Sequence, residues 1–216
     1  MTQTNNGSAA AVRILALGDS YTIGESVPAD QTWPCRLAAL LRAQGIATAA
    51  PTVVARTGWT TDELSLGIDA TRVSGPYDLV TLLIGVNNQY RGRAAAEYRS
   101  QLAALLDRAT ALAGFRAERV LLLSTPDWGV TPFAAGRDRA DIAAGIDAYN
   151  VAARAEAGRT GAHFVDITPI SRRASADPGL LATDGLHPSG TMYAEWAQLL
   201  LPVALAAMRR RASPHA

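Results

Sequence analysis

The stretch that decides the fold is Val12-Arg13-Ile14-Leu15-Ala16-Leu17-Gly18-Asp19-Ser20-Tyr21-Thr22-Ile23-Gly24-Glu25-Ser26. Its first half is a short, mostly apolar run rich in strand formers, and it stops at Gly18-Asp19-Ser20. Such a run, ended by a turn signal, is typical of a buried parallel strand. Ser20 is then expected just beyond the carboxyl end of the first strand, the edge at which open α/β sheets bind ligands. The alternative is an ordinary turn, because glycine, aspartate and serine all favour turns.

The rest of the chain alternates between predicted strands and predicted helices. Further strands are predicted at 52–55, 78–84, 120–123 and 164–167, and helices at 33–44, 61–70, 94–113, 138–157 and 190–211. Thr60 and Glu63 have the spacing of a capping box, which places a helix start directly after Thr60. Residues 168–182 are expected to be irregular. Five strands alternating with helices predict an α/β fold, a flavodoxin-like, doubly wound three-layer sandwich with a five-stranded parallel sheet in the order 2-1-3-4-5.

The 216 residues suit a single domain, with residues 1–11 and 212–216 expected to be flexible. No basic leader region precedes the first strand, and Arg13 interrupts the apolar stretch there, so neither a signal peptide nor a membrane span is recognisable. We therefore expect a cytoplasmic protein. No sequence feature predicts its oligomeric state.

Composition excludes several classes of function. The net charge of +1, with 18% charged and 49% hydrophobic residues, is ordinary for a globular protein and does not indicate a nucleic-acid partner. Apart from histidine, every basic residue is arginine, which excludes Schiff-base and P-loop chemistry that needs a lysine. The only cysteine, Cys35, is expected to be a small core residue, and the three histidines are far apart. We therefore expect no metal and no cofactor.

Four loops carry residues that could perform chemistry together. Ser20, Gly58 and Asn87 follow the first three predicted strands, whose carboxyl ends share one sheet edge, and Asp184 and His187 precede the last helix. A serine hydroxyl can act as a nucleophile, and the backbone N–H groups of Ser20 and Gly58 with the Asn87 amide can hold an oxyanion. His187 can take the serine proton near neutral pH, and Asp184 can hold its other ring nitrogen. Each residue alone could be structural, but their joint occurrence in this order indicates a catalytic site.

The four motifs resemble those of the SGNH hydrolase family, also called GDSL esterases and lipases. They match at Gly18-Asp19-Ser20, at Gly58, at Gly85-Val86-Asn87-Asn88 and at Asp184-Gly185-Leu186-His187, which together span nearly the whole chain. The resemblance implies a nucleophile at Ser20, oxyanion donors at Ser20, Gly58 and Asn87, a base at His187 and an acid at Asp184. Two positions depart from the family pattern: Tyr21 replaces the usual leucine of the first motif, and Asn88 replaces the frequent aspartate of the third.

Several other residues have two possible roles. The long, apolar loop 124–136 could line a pocket or could cover the sheet edge. Asp166, after the fifth strand, is the rival of Asp184 for the acid role, although it is expected to bond loop backbone. His163 is expected to be structural and His215 to lie in a flexible tail. The candidate substrate-binding walls are Trp59, Gln89, Trp128 and Phe133.

These features predict a serine esterase that hydrolyses small-molecule carboxylic esters through an acyl-enzyme. Short acyl chains are expected, because no insertion is long enough to form a cap domain over the site. One alternative keeps the same site but transfers the acyl group to an alcohol, as an acyltransferase does. Another is a flavodoxin-like module that binds a phosphate or a flavin, although the chain has no phosphate-binding loop pattern.

Overall fold

The structure, a computed structural model, describes residues 10–209. Its sheet has five parallel strands in the order β2-β1-β3-β4-β5. This confirms the predicted α/β class and the strand order. Most of the expected flexible ends, 1–11 and 212–216, lies outside the described residues, as do Arg210, Arg211 and His215. The strands are β1 (Ile14–Gly18), β2 (Thr52–Ala55), β3 (Leu79–Leu83), β4 (Val120–Leu123) and β5 (His163–Val165).

Helices cover both faces of this sheet. Alternate residues of β1 belong to two separate buried clusters, Ile14 and Ala16 to one and Leu15 and Leu17 to the other. None of the helices within the described range is long and apolar enough to cross a lipid bilayer. The helices are α1 (Ser20–Ile23), α2 (Trp33–Ala43), α3 (Thr61–Thr71), α4 (Val86–Tyr90), α5 (Ala95–Leu112), α6 (Arg139–Thr160), α7 (Thr168–Arg172) and α8 (Gly190–Arg209).

The sheet register places the candidate loops side by side. Gly18, the last residue of β1, pairs with Ala55 of β2 and with Leu83 of β3. All five residues of β1 and all five of β3 are buried, so the central strands are held rigidly from both faces. The loops that leave β1, β2 and β3 therefore start from one level at one edge of the sheet.

A few local features differ from the sequence-based expectations. The short helices α1, α4 and α7 were not predicted, and Pro169 in the first turn of α7 suits a helix start. Strand β5 ends at Val165 rather than at residue 167, because the Ile167 N–H donates to the Ser124 hydroxyl. Cys35 is only partly buried, so its prediction as a core residue was wrong.

Candidate active site

Ser20 stands at the first position of α1, directly after β1. Asp19 caps this helix, and its Oδ1 accepts the Tyr21 backbone N–H at 3.0 Å. A Cβ at Gly18 would collide with the Thr22 side chain and the Leu83 carbonyl, so the residue before the cap can only be glycine. Glycine and aspartate thus shape the tight turn that presents the Ser20 hydroxyl at the sheet edge.

Ser20, His187 and Asp184 form a continuous chain of hydrogen bonds. The Ser20 Oγ lies 2.9 Å from His187 Nε2, and His187 Nδ1 lies 2.7 Å from Asp184 Oδ2. Ser20 and His187 are both buried, with 4% and 7% of their surface exposed. In the tautomer that carries its proton on Nδ1, the imidazole donates to Asp184 and offers Nε2 to the serine proton. The geometry is that of a nucleophile, a base and a group that orients the base.

The Asp184 loop folds back on itself to make this contact. Gly185 has φ +66°, a left-handed conformation that glycine adopts without strain. Partial burial raises the pKa of Asp184, but hydrogen bonds from Ser26, His187 and the Leu186 N–H outweigh it, so the pKa lies well below its ordinary value. The carboxylate therefore stays ionised at neutral pH and can stabilise an imidazolium.

Asp166 lies in a different set of contacts. Its Oδ1 accepts from the Ser124 hydroxyl at 3.0 Å and from the Thr168 N–H at 3.3 Å, and its Oδ2 pairs with Arg154. The structure thus brings Asp184, rather than Asp166, to His187. His163 begins β5 and belongs to the sheet.

Asn87 lies in the first turn of α4, beside the Ser20 turn. Its Nδ2 donates to the Trp59 carbonyl at 2.9 Å and to Asp19 Oδ2 at 3.3 Å. The bond to Trp59 fastens the Gly58-Trp59 turn against Asn87, and Gly58 itself has φ +83°. The Ser20 N–H belongs to the first turn of α1, where backbone donors have no carbonyl partner within the helix. These three groups are therefore neighbours at the sheet edge, although Gly58 does not line the cavity described below.

Asn88 explains how the chain accommodates one of its departures from the family pattern. The Asn88 side chain is fully buried, and its Oδ1 accepts the Thr61 N–H at 3.1 Å while its Nδ2 donates to the Thr61 hydroxyl at 2.7 Å. An amide suits this position because it must accept and donate at once. Asn88 thereby fixes α4, which carries Asn87, to the start of α3.

Asp19 is a buried carboxyl group between the Ser20 turn and Asn87. Burial raises the pKa of Asp19 to about 7, although hydrogen bonds from the Tyr21 N–H and from Asn87 act in the opposite direction. Close to neutral pH, a large fraction of Asp19 is therefore uncharged.

A cavity of about 90 Å³ opens beside the Ser20 hydroxyl. Trp128 and Phe133 line it, as the sequence predicts. Three aromatic rings form one wall, with Tyr90 and Trp128 edge to face at 5.3 Å between ring centroids. The Tyr21 ring, which replaces the family's leucine, lies 5.1 Å from the imidazole of His187. The lining residues are Ser20, Tyr21, Val86, Asn87, Tyr90, Trp128, Phe133, Leu186 and His187.

Two of the predicted wall residues do not line this cavity. The Trp59 ring packs against Gly67 of α3, where a side chain at position 67 would collide with the ring. Gln89 lies behind the wall, where its Oε1 accepts the Trp128 Nε1–H at 2.7 Å. Sequence reasoning missed Tyr90, which follows Asn87 by three residues and hence by about one helical turn. Predicting α4 would have pointed to it.

Within residues 10–209, no three His, Cys, Asp or Glu side chains are placed to share a metal ion.

Comparisons with known proteins agree with this fold. The family model described as GDSL-like lipase/acylhydrolase matches residues 16–195. A search of the curated proteins finds no significant relative. Among solved structures, that of TesA is similar with a TM-score of 0.70 at 20% identity, over 90% of this chain and 99% of the other.

Two further solved structures show the same fold. The lipase/acylhydrolase from Enterococcus faecalis has a TM-score of 0.67 at 20% identity, over 95% of this chain and 100% of the other. The psychrotrophic esterase EstA from Pseudoalteromonas sp. has a TM-score of 0.65 at 16% identity, over 92% of this chain and 97% of the other. The family model covers most of the chain and includes the Ser20 turn and the Asp184 loop. The protein therefore belongs to the GDSL-like lipase/acylhydrolase family and is a hydrolase of ester bonds.

Proposed function

We propose that the protein is a serine esterase in which Ser20 is the nucleophile, His187 the general base and Asp184 the residue that orients and stabilises His187. The observation that carries this proposal is the pair of hydrogen bonds from Ser20 Oγ to His187 Nε2, 2.9 Å, and from His187 Nδ1 to Asp184 Oδ2, 2.7 Å. Among the residues that line the cavity, no other pair places a nucleophile within hydrogen-bond distance of a base.

The proposed reaction has two halves. Ser20 Oγ attacks the ester carbonyl carbon while its proton moves to His187 Nε2, and the oxyanion is held by the N–H groups of Ser20 and Gly58 and by the Asn87 amide. The alcohol then leaves with the proton from Nε2, and the acyl group stays on Ser20. A water molecule repeats the attack on the acyl-enzyme, and its proton passes through His187 back to Ser20 as the carboxylic acid leaves.

The cavity favours a short acyl chain. The cavity beside Ser20 is small, at about 90 Å³. Its aromatic wall of Tyr90, Trp128 and Phe133 suits an apolar group. Small-molecule esters with short acyl groups are therefore the proposed substrates.

The alternative functions and the remaining predictions stand as follows. The family assignment argues against the flavodoxin-like binding module, but an acyltransferase would use the same acyl-enzyme. Product analysis with an added acceptor alcohol separates the two outcomes, because transfer yields a new ester where hydrolysis yields only the free acid. The single-domain organisation and the cytoplasmic location stay predictions.

The decisive experiment labels the nucleophile. An organophosphonate should add covalently to Ser20, and a phosphonate is a suitable probe because the similar EstA structure is of an enzyme inhibited by monoethylphosphonate. Ser20→Ala should lose the adduct and most turnover of chromogenic short-chain esters, on the order of 10³-fold or more. Ser175→Ala is the matched control, since the Ser175 hydroxyl bonds the Arg172 carbonyl and does not line the cavity. An active preparation whose intact mass shows no adduct would overturn the proposal.

A further inference from the structure

Ser26 has a backbone conformation that serine seldom adopts. Its φ is +64°, in the left-handed region where a residue with a Cβ is strained and glycine is not. Such strain persists only when the surrounding contacts impose it, and it is concentrated at functional sites. Ser26 is not part of the family motif matched by Gly18-Asp19-Ser20, and the proposed mechanism does not use it.

The Ser26 side chain reaches the proposed triad. Its Oγ donates to Asp184 Oδ2 at 2.6 Å, across 158 positions of sequence. The same oxygen accepts His187 Nδ1 at 2.7 Å. The other oxygen, Oδ1, accepts the backbone N–H groups of Leu186 and His187, both at 2.9 Å. Since a carboxylate offers about four acceptor sites, these four bonds hold it in one orientation. Three of the donors belong to the Asp184 loop itself, and only Ser26 comes from another part of the chain.

The backbone around Ser26 also connects to the nucleophile. The Ser20 carbonyl accepts the N–H groups of Gly24 and Glu25, at 3.0 and 3.1 Å. Ser26 follows directly, so a short, hydrogen-bonded segment joins the residue that attacks to the residue that holds Asp184. Ser20 and Ser26 therefore contact the two ends of the Asp184–His187 pair, Ser20 at Nε2 and Ser26 at Oδ2.

We propose that Ser26 is a positioning residue of the ester hydrolysis, which acts on His187 only through Asp184. Its hydroxyl keeps Asp184 Oδ2 facing Nδ1 while Nε2 receives the proton of Ser20. Without the hydroxyl, Asp184 Oδ2 keeps its bond to His187 Nδ1 but loses the donor that holds it from the other side, and water can take that place because Ser26 lies at the surface. The inference rests on the triad of the proposed function.

The first test separates the hydroxyl from the backbone strain. Ser26→Gly removes both, and Ser26→Ala removes the hydroxyl but keeps the Cβ. We expect each variant to lower kcat about 3- to 10-fold, the size of one net hydrogen bond, with KM unchanged. Phe115→Gly is the matched control, because Phe115 has φ +60° and an 84% exposed side chain. It relieves comparable strain away from the site and should leave kcat unchanged.

The second test asks whether Ser26 acts through Asp184. In an Asp184→Ala background, adding Ser26→Gly should change kcat less than about twofold, because the group that Ser26 holds is gone. A wild-type kcat for Ser26→Gly and Ser26→Ala would overturn the inference, as would an undiminished loss in the Asp184→Ala background. Ser20→Ala in the same assay keeps the two proposals apart. If Ser20→Ala is inactive and both Ser26 variants are normal, only the role of Ser26 is wrong. If Ser20→Ala keeps its turnover, the proposed triad falls and the Ser26 role with it.

Discussion

At the scale of single residues, the Asn87 amide donates to two acceptors among the described residues, a backbone carbonyl and a carboxyl oxygen. Its Nδ2 donates to the Trp59 carbonyl at 2.9 Å, while the bond to Asp19 is longer, at 3.3 Å. In the proposed mechanism, the hydrogen of the longer bond leaves Asp19 and turns to the oxyanion that forms beside Ser20. The short bond to Trp59 keeps the amide from rotating away in the meantime.

Asn87→Ala should therefore lower kcat by roughly 10²–10³ with little change in KM, because the donor acts mainly in the transition state. Steady-state kinetics on one short ester measure both constants. Thr71→Ala, at the far end of α3, serves as a control with normal kinetics. A raised KM with an unchanged kcat would mean that Asn87 binds substrate rather than the oxyanion.

The two candidate acids predict different kinetics. His187→Ala should fall close to the Ser20→Ala background, because the base is lost. Asp184→Ala should retain more activity, since water can partly replace a group that orients and does not take the proton. Asp166→Ala should affect stability more than kcat, because its partners are Ser124, Thr168 and Arg154. The measurement is kcat/KM with a thermal melt for each variant. A well-folded Asp166→Ala that proves more damaging than Asp184→Ala would show that the acid has been misassigned.

The buried carboxyl of Asp19 predicts a pH dependence of stability. Its pKa is about 7 in the fold, whereas an unfolded aspartate titrates near pH ~4. Between these values the folded state holds a proton that the unfolded state has released, so stability falls as pH rises from about 4 to about 7. Asp184 contributes in the opposite sense. Its lowered pKa stabilises the fold above the ordinary pKa, and that contribution is lost as pH falls below it.

Asp19→Asn should remove the Asp19 contribution. Thermal melts between about pH 4.5 and pH 7.5 should show the variant gaining in melting temperature relative to the wild type as pH rises. The comparison at several pH values is internally controlled, because any loss of packing or hydrogen bonding in the variant is the same at each pH. A difference in melting temperature that stays constant across this range would contradict the raised pKa.

At the scale of elements, α3 connects helix capping with the candidate site. Thr60 and Glu63 form a complete capping box, in which the Thr60 N–H donates to Glu63 Oε2 at 2.8 Å. The next residue, Thr61, is the one that Asn88 holds. The start of α3 is thus a capped helix terminus that also supports α4 through Asn88. The cap after the Gly58 turn therefore helps to hold the helix that carries Asn87.

Thr60→Ala should lower the free energy of unfolding by about 1 kcal/mol, the usual effect of losing a threonine cap. Urea unfolding of the two proteins measures the difference. Thr71→Ala, whose hydroxyl bonds the Gly67 and Ile68 carbonyls in the last turn, should cost less. Equal losses for the two variants would show that the cap has no special role.

At the scale of the whole molecule, the fold places a small cavity beside Ser20 at the edge of the sheet. Two long connections border the Ser20 edge: loop 124–136, which folds into two 3₁₀ turns and places Trp128 and Phe133 at the cavity, and the connection 173–189, which carries Asp184 and His187. We expect turnover to fall as the acyl chain of a chromogenic ester lengthens, because the cavity beside Ser20 is small, at about 90 Å³. A Trp128→Ala variant should move this preference to longer chains. A wild-type preference for long-chain triglycerides would contradict it.

The sequence by itself determined the strands, their order and the four motif loops. Apolar runs such as Leu79–Leu83 predict strands that are buried on both faces of the sheet, and turn residues such as Gly18 mark where each run stops. Both signals are local, and right-handed crossovers leave few ways to arrange five parallel strands. The Thr60–Glu63 capping box was predictable for the same reason, since its two partners are three residues apart.

Only the tertiary structure decided which side chains meet. Ser26 and Asp184 are 158 residues apart, and nothing local marks them as partners. Trp59 turns toward α3 because Gly67 leaves room for its ring, and Gln89 supports Trp128 instead of lining the cavity. Rotamer choice and long-range packing settle such contacts, and they depend on the shape of neighbours that a periodic pattern does not encode.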